Sequence, residues 1–399
     1  MQLSANARNA IRIGALCSIS YFTVYIARNI LSAVTPQMID GGFTESYIGL
    51  ASSLYLAFYA VGQLINGMIG DKIRAKYMIC VGLFMAGVTN ALFALLVRFP
   101  LGAALAYALT GFFLSMIYGP MTKIVSENTE PLHATRCSLG YTFASFFGSP
   151  AAGLLATFLA WQSVFFASSA ALFLMAIVGF VCFSAMERAK VVQYGKYPKA
   201  ASSKGNLKIL FRRHIVKFSL VSILTGVVRT SVVFWLPTYI AQHLGFSAKH
   251  SSAIFTAATL VISLSAFIAV FLYERIGYDL DKTILILFSA STLFFVLTYF
   301  IGASVPNIVC IVLAIMASNG AASMLWSRYC PSLYDTGMVS SATGFLDFLS
   351  YSAAAIANIV FANAATTLGW GVLILVWTAL MACGVLVALP RKQKCEESA

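Results

Sequence analysis

The chain has 399 residues, 60% of them hydrophobic and only 10% charged, where a soluble globular chain carries roughly 25% charged residues. This composition excludes a water-soluble globular protein and defines a polytopic membrane protein. The formal net charge of +13 falls at loops and helix ends, a pattern of membrane topology that speaks against nucleic-acid binding.

Apolar runs of about 20 residues, the length that crosses a bilayer, predict helices over 11–38, 47–69, 77–97, 101–123, 137–160 and 163–186. Six more follow over 216–241, 250–272, 282–303, 306–327, 339–362 and 368–389. Residues 187–213 interrupt the pattern with a basic stretch containing Gly and Ser, and read as a cytoplasmic linker between a six-helix bundle at 1–186 and a second at 214–399, which ends in a short tail. The expected fold is an all-α membrane protein of twelve transmembrane helices in two pseudo-symmetric bundles. The first apolar run is too long for a cleaved signal peptide and carries Arg28. With Arg8 and Arg12 placed inside, Arg98 and Lys249 are the only Lys or Arg in outside loops, so the positive-inside rule places both termini in the cytoplasm, with the chain in the plasma (inner) membrane. Eight cysteines lie scattered without paired spacing and suggest neither a disulfide framework nor a metal site.

The halves echo each other. Arg28 and Pro36 in RNILSAVTPQMI recur as Arg229 and Pro237 in RTSVVFWLPTYI, at an offset of 201. Asp71-Lys72 recurs as Glu274-Arg275, Gly140 as Gly344 and Trp161 as Trp370, all in order and at similar offsets, which points to a duplication. A duplicated six-plus-six bundle is an architecture of secondary transporters, with the binding site between the halves near the midplane. Arg28 and Arg229 each sit where a spanning helix has its middle, and a guanidinium stays charged there at a cost of about 3 kcal/mol or more. If first and seventh helices are symmetry partners, the two guanidiniums flank one cavity. Like charges in low dielectric need an anion between them, and the Arg fork suits phosphate or carboxylate oxygens. Tyr21, Tyr25 and Arg28 share a stripe at i, i+4 and i+7, and Tyr55, Tyr59 and Gln63 repeat nearly that spacing in the second helix. Asp347 and Tyr351 share a face of the eleventh. Asp347 stands alone as an acid well inside a helix, and three roles stay open for it: neutralising an arginine, accepting a proton, or binding a substrate hydroxyl.

The segment GQLINGMIGDKIRAK, residues 62–76, resembles the G-x-x-x-D-R/K-x-G-R-R/K signature of the major facilitator superfamily, with Gly67, Asp71, Lys72, Arg74 and Lys76 in register and a departure at Arg74-Ala75. The resemblance implies a charged clasp in which Asp71, Lys72 and Arg74, with their echo Glu274 and Arg275, lock and release the halves. Within that superfamily the chain is similar to the organophosphate:phosphate antiporters, through Tyr21-x3-Tyr25-x2-Arg28, GVVRTSVVFWLPTYI and SSATGFLDFLSYSAAA. The resemblance implies that Arg28 and Arg229 bind a phosphoryl group, that Tyr59 and Tyr351 belong to the cavity, and that inorganic phosphate moves against the ester. This chain departs from that pattern with Gln63 for a cavity lysine, Ala144 for a histidine, Asn319 for a tyrosine, and Asp347 as an added acid. RNILSAVTPQMIDGGFTESYIG and YAVGQLINGMIGDK also resemble anion:cation symporters of sugar acids and other carboxylates, which couple to protons. The expected substrate is therefore a small organic anion: a phosphate ester exchanged for inorganic phosphate, or, as the alternative, a carboxylate moved with protons. Arg28, Arg229, Tyr21, Tyr25, Tyr59, Gln63, Asn319, Asp347 and Tyr351 are the expected binding residues. No catalytic set assembles, because His133, His214, His243 and His250 lie apart. No phosphate-cradling G-x-x-x-x-G-K-[ST] occurs, and nothing calls for a cofactor or metal. A channel needs no two-half clasp, while a non-transporting receptor of this architecture stays an open alternative.

Overall fold

The computed structural model describes residues 4–70, 73–194, 211, 213–333 and 339–389. Twelve helical segments account for the described chain. The first six are α1 (Ala5–Asp40), α2 (Glu45–Gly70), α3 (Ala75–Leu95), α4 (Pro100–Asn128), α5 (Pro131–Phe146 continuing as Gly148–Phe158) and α6 (Trp161–Arg188). The second six are α7 (Ile215–Gln242), α8 (Ala248–Ser263 continuing as Ser265–Arg275), α9 (Leu280–Phe300), α10 (Ser304–Met324, extended by a wider turn over Leu325–Tyr329), α11 (Val339–Thr367) and α12 (Gly369–Ala388). Eleven of these are long and apolar enough to cross a membrane, and the second part of α5 supplies a shorter apolar helix. All twelve sequence-predicted spans are present, several of them longer than the apolar run alone suggests. Most of the linker lies outside the described residues.

Local signals fix the helix starts. The Asp279 carboxylate accepts from the Lys282 backbone N–H at 3.0 Å and caps α9, and Ser4 and Ser247 cap α1 and α8 in the same way. Pro100 and Pro131 occupy first turns, where a missing N–H costs nothing. Because lipid is as apolar as leucine, helix pairing relies on close packing and polar bridges. Thr89 meets Thr110 at 2.9 Å between α3 and α4, Asn66 donates to Ser115 at 2.7 Å between α2 and α4, and Tyr239 donates to Asn307 at 2.6 Å between α7 and α10. Gly111 of α4 lies against the Tyr55 backbone and Gly148 of α5 against Tyr25, in each case too close for a Cβ. These two approaches hold Tyr55 and Tyr25 at fixed depth.

The helices depart from straight rods at prolines, and the departures were not legible in the hydropathy. A helix-interior proline cannot bond the carbonyl four residues back and crowds it. Pro150 frees the Phe146 carbonyl, α5 breaks at Phe147, and Ser263 of α8 donates to Phe146 O at 2.9 Å. Pro237 loosens the turn below it, and Ser32 of α1 donates to Phe234 O at 2.7 Å and more weakly to Val233 O at 3.4 Å. At the symmetry-related place in α1, Ser252 of α8 donates to Ala33 O at 3.1 Å, one turn before Pro36. At Pro150 the freed carbonyl itself is taken up by a serine of the opposite half, whereas at Pro36 and Pro237 the serine bonds mainly the carbonyl three residues back, Ala33 O and Phe234 O.

These contacts lie in the half of the molecule away from the amino terminus or at its middle. Asn358 of α11 donates to Ser52 of α2 at 2.7 Å, and farther out Ser46 meets Asn363 at 3.0 Å. The Gln242 amide donates to Glu45 at 2.6 Å and accepts from Trp370 Nε1 at 3.2 Å. Among the described residues no side-chain hydrogen bond joins the halves on the amino-terminal face. The bundle is thus bonded shut at one end, and the cavity between the halves runs from Ser52 toward Tyr118, Trp326, Ser327 and Cys330 at the other, the parted end.

Candidate functional site

Between the parted halves lies a cavity of about 600 Å³, within the range of roughly 300–1,000 Å³ typical of small-molecule sites. Arg28 and Arg229 both enter its wall, from the middles of α1 and α7. Around Arg229 the α7 backbone widens into a π-type turn over Val227–Val232, one turn before the segment that Pro237 loosens. Such a turn re-aims side chains and recurs at functional sites.

Aromatic faces surround Arg28 and one of them reaches Arg229, while among the described residues no carboxylate lies within ion-pair distance of either. The Arg28 guanidinium carbon stands 5.4 Å from the Tyr25 ring centre, 5.0 Å from Tyr59 and 4.7 Å from Tyr351. The Arg229 guanidinium carbon lies 5.7 Å from the same Tyr351 ring. Tyr351 therefore stands between the two cations and contacts both through its π face, an attraction of about 0.5–2 kcal/mol per pair. Among the described residues neither arginine forms an ion pair, and Arg229 Nη2 is buried without a hydrogen-bond partner. Leaving a buried donor of a charged group unmade costs about 1–3 kcal/mol or more, so an orphan of this kind in a cavity wall calls for an explanation.

The structure places all nine expected binding residues in this one wall: Tyr21, Tyr25, Arg28, Tyr59, Gln63, Arg229, Asn319, Asp347 and Tyr351. The Asn319 amide donates to Ser265 at 2.9 Å. Asp347 faces the cavity one turn from Tyr351 and makes no ion pair among the described residues. Ala144 is not in the wall; α5 presents Ser145, Phe146 and Ser149 instead. Sequence reading passed over Tyr118 of α4 and Trp326 of α10. Both had a signal, since Tyr107 and Tyr118 are three turns apart on one helical face, and Asn319, Ser323 and Trp326 repeat the i, i+4, i+7 spacing of Tyr21, Tyr25 and Arg28.

Among the described residues the expected gating charges Arg74, Glu274 and Arg275 form no ion pair with one another. Asp71 and Lys72 lie outside the described residues. Arg74 is exposed at the start of α3, and Glu274 and Arg275 are exposed at the end of α8, where Arg275 lies over Phe271 at 5.2 Å. The charge that is engaged is Lys76, which is buried and paired with Glu187 at the end of α6. Tyr194 packs beside this pair, and burial together with the Glu187 carboxylate pushes its phenol pKa up.

Two six-helix halves around a central polar cavity have the architecture of secondary transporters. The model of the Major Facilitator Superfamily matches residues 17–358, and the chain belongs to that family. Its relatives narrow the kinship. The glycerol-3-phosphate transporter of Bacillus subtilis (strain 168) is 22% identical over 259 residues, 58% of this chain and 58% of that protein. The membrane sensor protein UhpC of Salmonella typhimurium is 32% identical over 96 residues, 24% of this chain and 22% of that protein. A probable hexose phosphate transport protein of Chlamydia pneumoniae is 26% identical over 118 residues, 29% of this chain and 26% of that protein. The chain thus matches a little over half of one of these relatives and about a quarter of the others. Among solved structures, a bacterial homolog of the human lysosomal transporter Spinster, in an inward-facing and unoccupied conformation, superposes with a TM-score of 0.72 at 13% identity, covering 95% of this chain and 93% of its own. The D-xylose-proton symporter gives 0.71 at 14%, covering 95% and 96%. At those identities the structures support the fold alone.

Proposed function

We propose that this chain carries a phosphorylated organic anion across the plasma membrane in exchange for inorganic phosphate, by alternating access around the cavity between its halves. One observation carries the reading. Two arginines enter a single cavity with no carboxylate paired to either, and one of them leaves a buried Nη2 without a partner. A bound phosphoryl group answers both deficits, because its oxygens accept from two planar forks at once. Glycerol-3-phosphate and hexose phosphate transport in the named relatives supports the same class of ligand. Tyr25, Tyr59 and Tyr351 hold the guanidiniums in place, and Gln63, Asn319 and Asp347 meet the rest of the ligand. With Arg74, Glu274 and Arg275 on the cytoplasmic face beside both termini, the parted end is the inner one, and those charges meet when the carrier turns outward.

Proteoliposomes loaded with inorganic phosphate, at zero pH gradient, test this by uptake of labelled phosphate. Exchange that needs internal phosphate is the expected result. Binding without exchange would instead mark a receptor, the role named for the UhpC relatives. Asp347 favours one second reading, since an intramembrane acid in the cavity wall can take up a proton. On that reading uptake of a sugar acid follows an inward proton gradient and loses its pH dependence in Asp347→Asn.

A further inference from the structure

We infer that a second cavity, in the groove between α1 and α5 at their amino-terminal ends, holds the headgroup of an anionic phospholipid. It has a volume of about 310 Å³ and is lined by α1 between Ala7 and Ser18 and by α5 between His133 and Gly140. None of its lining residues belongs to the central cavity. The two helices touch at Gly14, where a Cβ would meet Cys137 Sγ at 2.7 Å, and the Cys137 thiol donates to Ala10 O at 3.3 Å. Beside that contact the small side chains of Ala7 and Ala15 leave the groove open.

Depth and direction say what fills it. Ser18 precedes Arg28, at the middle of the span, by ten residues, about 15 Å along the helix axis. That is half of the roughly 30 Å hydrocarbon thickness, so the groove begins where the hydrocarbon ends and runs through the headgroup layer. Nine residues separate Ile19 from Arg28, about two and a half turns, which sets the two side chains on opposite sides of α1. Arg28 enters the central cavity and Ile19 is 56% exposed, so Ile19 faces lipid. Arg8, Arg12, Ala15 and Ile19 share this stripe at i, i+4, i+7 and i+11, and Arg8 and Arg12 are exposed. Ala15 also lines the groove. The groove thus borders a stripe that is basic at headgroup depth and apolar below it.

Charge selects the kind of lipid. Arg136 lines the groove, is exposed and forms no ion pair among the described residues. His133 lines the same wall one turn earlier. One acid stands at the start of α5: Glu130 accepts from Asn6 Nδ2 at 2.7 Å, and its other oxygen lies 3.9 Å from His133 Nε2. Arg8, Arg12 and Arg136 against Glu130 leave the rim cationic. A guanidinium fork suits phosphodiester oxygens, and basic residues at this depth attract anionic lipids. A zwitterionic headgroup would set its own cation against the same arginines. With the phosphodiester at Arg136, the acyl chains run along Ile19 toward the bilayer core.

The test is native mass spectrometry of the purified full-length protein mixed with phosphatidylglycerol or with phosphatidylcholine of the same acyl chains. The unaltered chain retains one phosphatidylglycerol at an about tenfold lower lipid concentration than phosphatidylcholine. Arg136→Gln cuts that preference about fivefold or more. Ala15→Phe, which fills the groove without changing charge, lowers retention of phosphatidylglycerol to a similar extent. Arg188→Gln, the same loss of charge at the end of α6, leaves both unchanged. Equal retention of the two lipids overturns the inference, and so does a preference that survives Arg136→Gln or a retention that survives Ala15→Phe. An equal loss in Arg188→Gln would mark general surface charge, and displacement of the lipid by inorganic phosphate would mark a site for a free anion; either result overturns it as well.

Discussion

Arg28 and Arg229 occupy symmetry-related positions, yet the side chains around them are not symmetric. Three tyrosine faces surround Arg28, whereas Arg229 shares only Tyr351 and keeps an orphan donor. Asp347 stands in the same wall and subtracts charge from the site, so Asp347→Asn should tighten phosphate binding several-fold, read by competition at constant pH. Unchanged or weaker binding would place that carboxylate away from the anion. At the amino-terminal face Lys76 and Glu187 form a pair whose side chains are 8% and 20% exposed. Glu187→Gln strands the ammonium in the bundle and should cost about 3 kcal/mol, seen as a lower Tm in detergent, while the double change Lys76→Met/Glu187→Met recovers most of it. Equal melting of the single and double variants would contradict a buried, mutually dependent pair.

At the scale of helices, prolines and serines together set the sealed end. Near Pro36, Pro150 and Pro237, Ser252, Ser263 and Ser32 reach across from the other half to a backbone carbonyl of the proline-bearing helix. A hydroxyl-to-carbonyl bond contributes about 1 kcal/mol, so Ser32→Ala/Ser263→Ala should shift the balance of open and closed states several-fold. Faster labelling of a cysteine placed at Ser46 by a membrane-impermeant reagent would show it, and unchanged labelling would mean that these bonds do not hold the seal. The caps act separately. Hydrogen bonds from Lys282 hold the Asp279 carboxyl below its usual range. Since its folded pKa lies under the unfolded value, the cap contributes fully above about pH 4 and is lost as pH falls through the lowered value. Asp279→Ala should therefore destabilise α9 by about 1 kcal/mol at neutral pH, with little difference from the unaltered chain in acid. A Tm difference that persists at low pH would contradict that role.

For the whole molecule, the twelve spans were legible because a bilayer demands long apolar runs, and the cavity arginines were legible because a fixed charge among such runs has few places to go. The duplication pairs Arg28 with Arg229 in the sequence alone. What stayed hidden is geometry that hydropathy does not encode. The break at Phe147, the widened turns in α7 and α10 and the cross-half serine bonds rest on backbone geometry and on contacts that exist only once the halves meet. Tyr118 and Trp326 were missed because a lone aromatic in an apolar helix looks like packing until the facing wall is known, and nothing in the motif distinguishes the buried Lys76 from the exposed Arg74. The sealed and parted ends also give the molecule sidedness: a cysteine placed at Ser327, in the cavity wall, should react with a soluble thiol reagent faster than one placed at Ser52, and phosphate should slow the first reaction.

The most direct test of the two-arginine site is phosphate exchange by Arg28→Lys and Arg229→Lys, each normalised to the protein inserted in the vesicles. An ammonium keeps the charge but loses the planar fork, and the expected result is a loss of roughly a hundredfold in either variant, about 2.8 kcal/mol at about 1.4 kcal/mol per tenfold, with normal insertion. Near-normal exchange in either variant would contradict a phosphate held between the two guanidiniums.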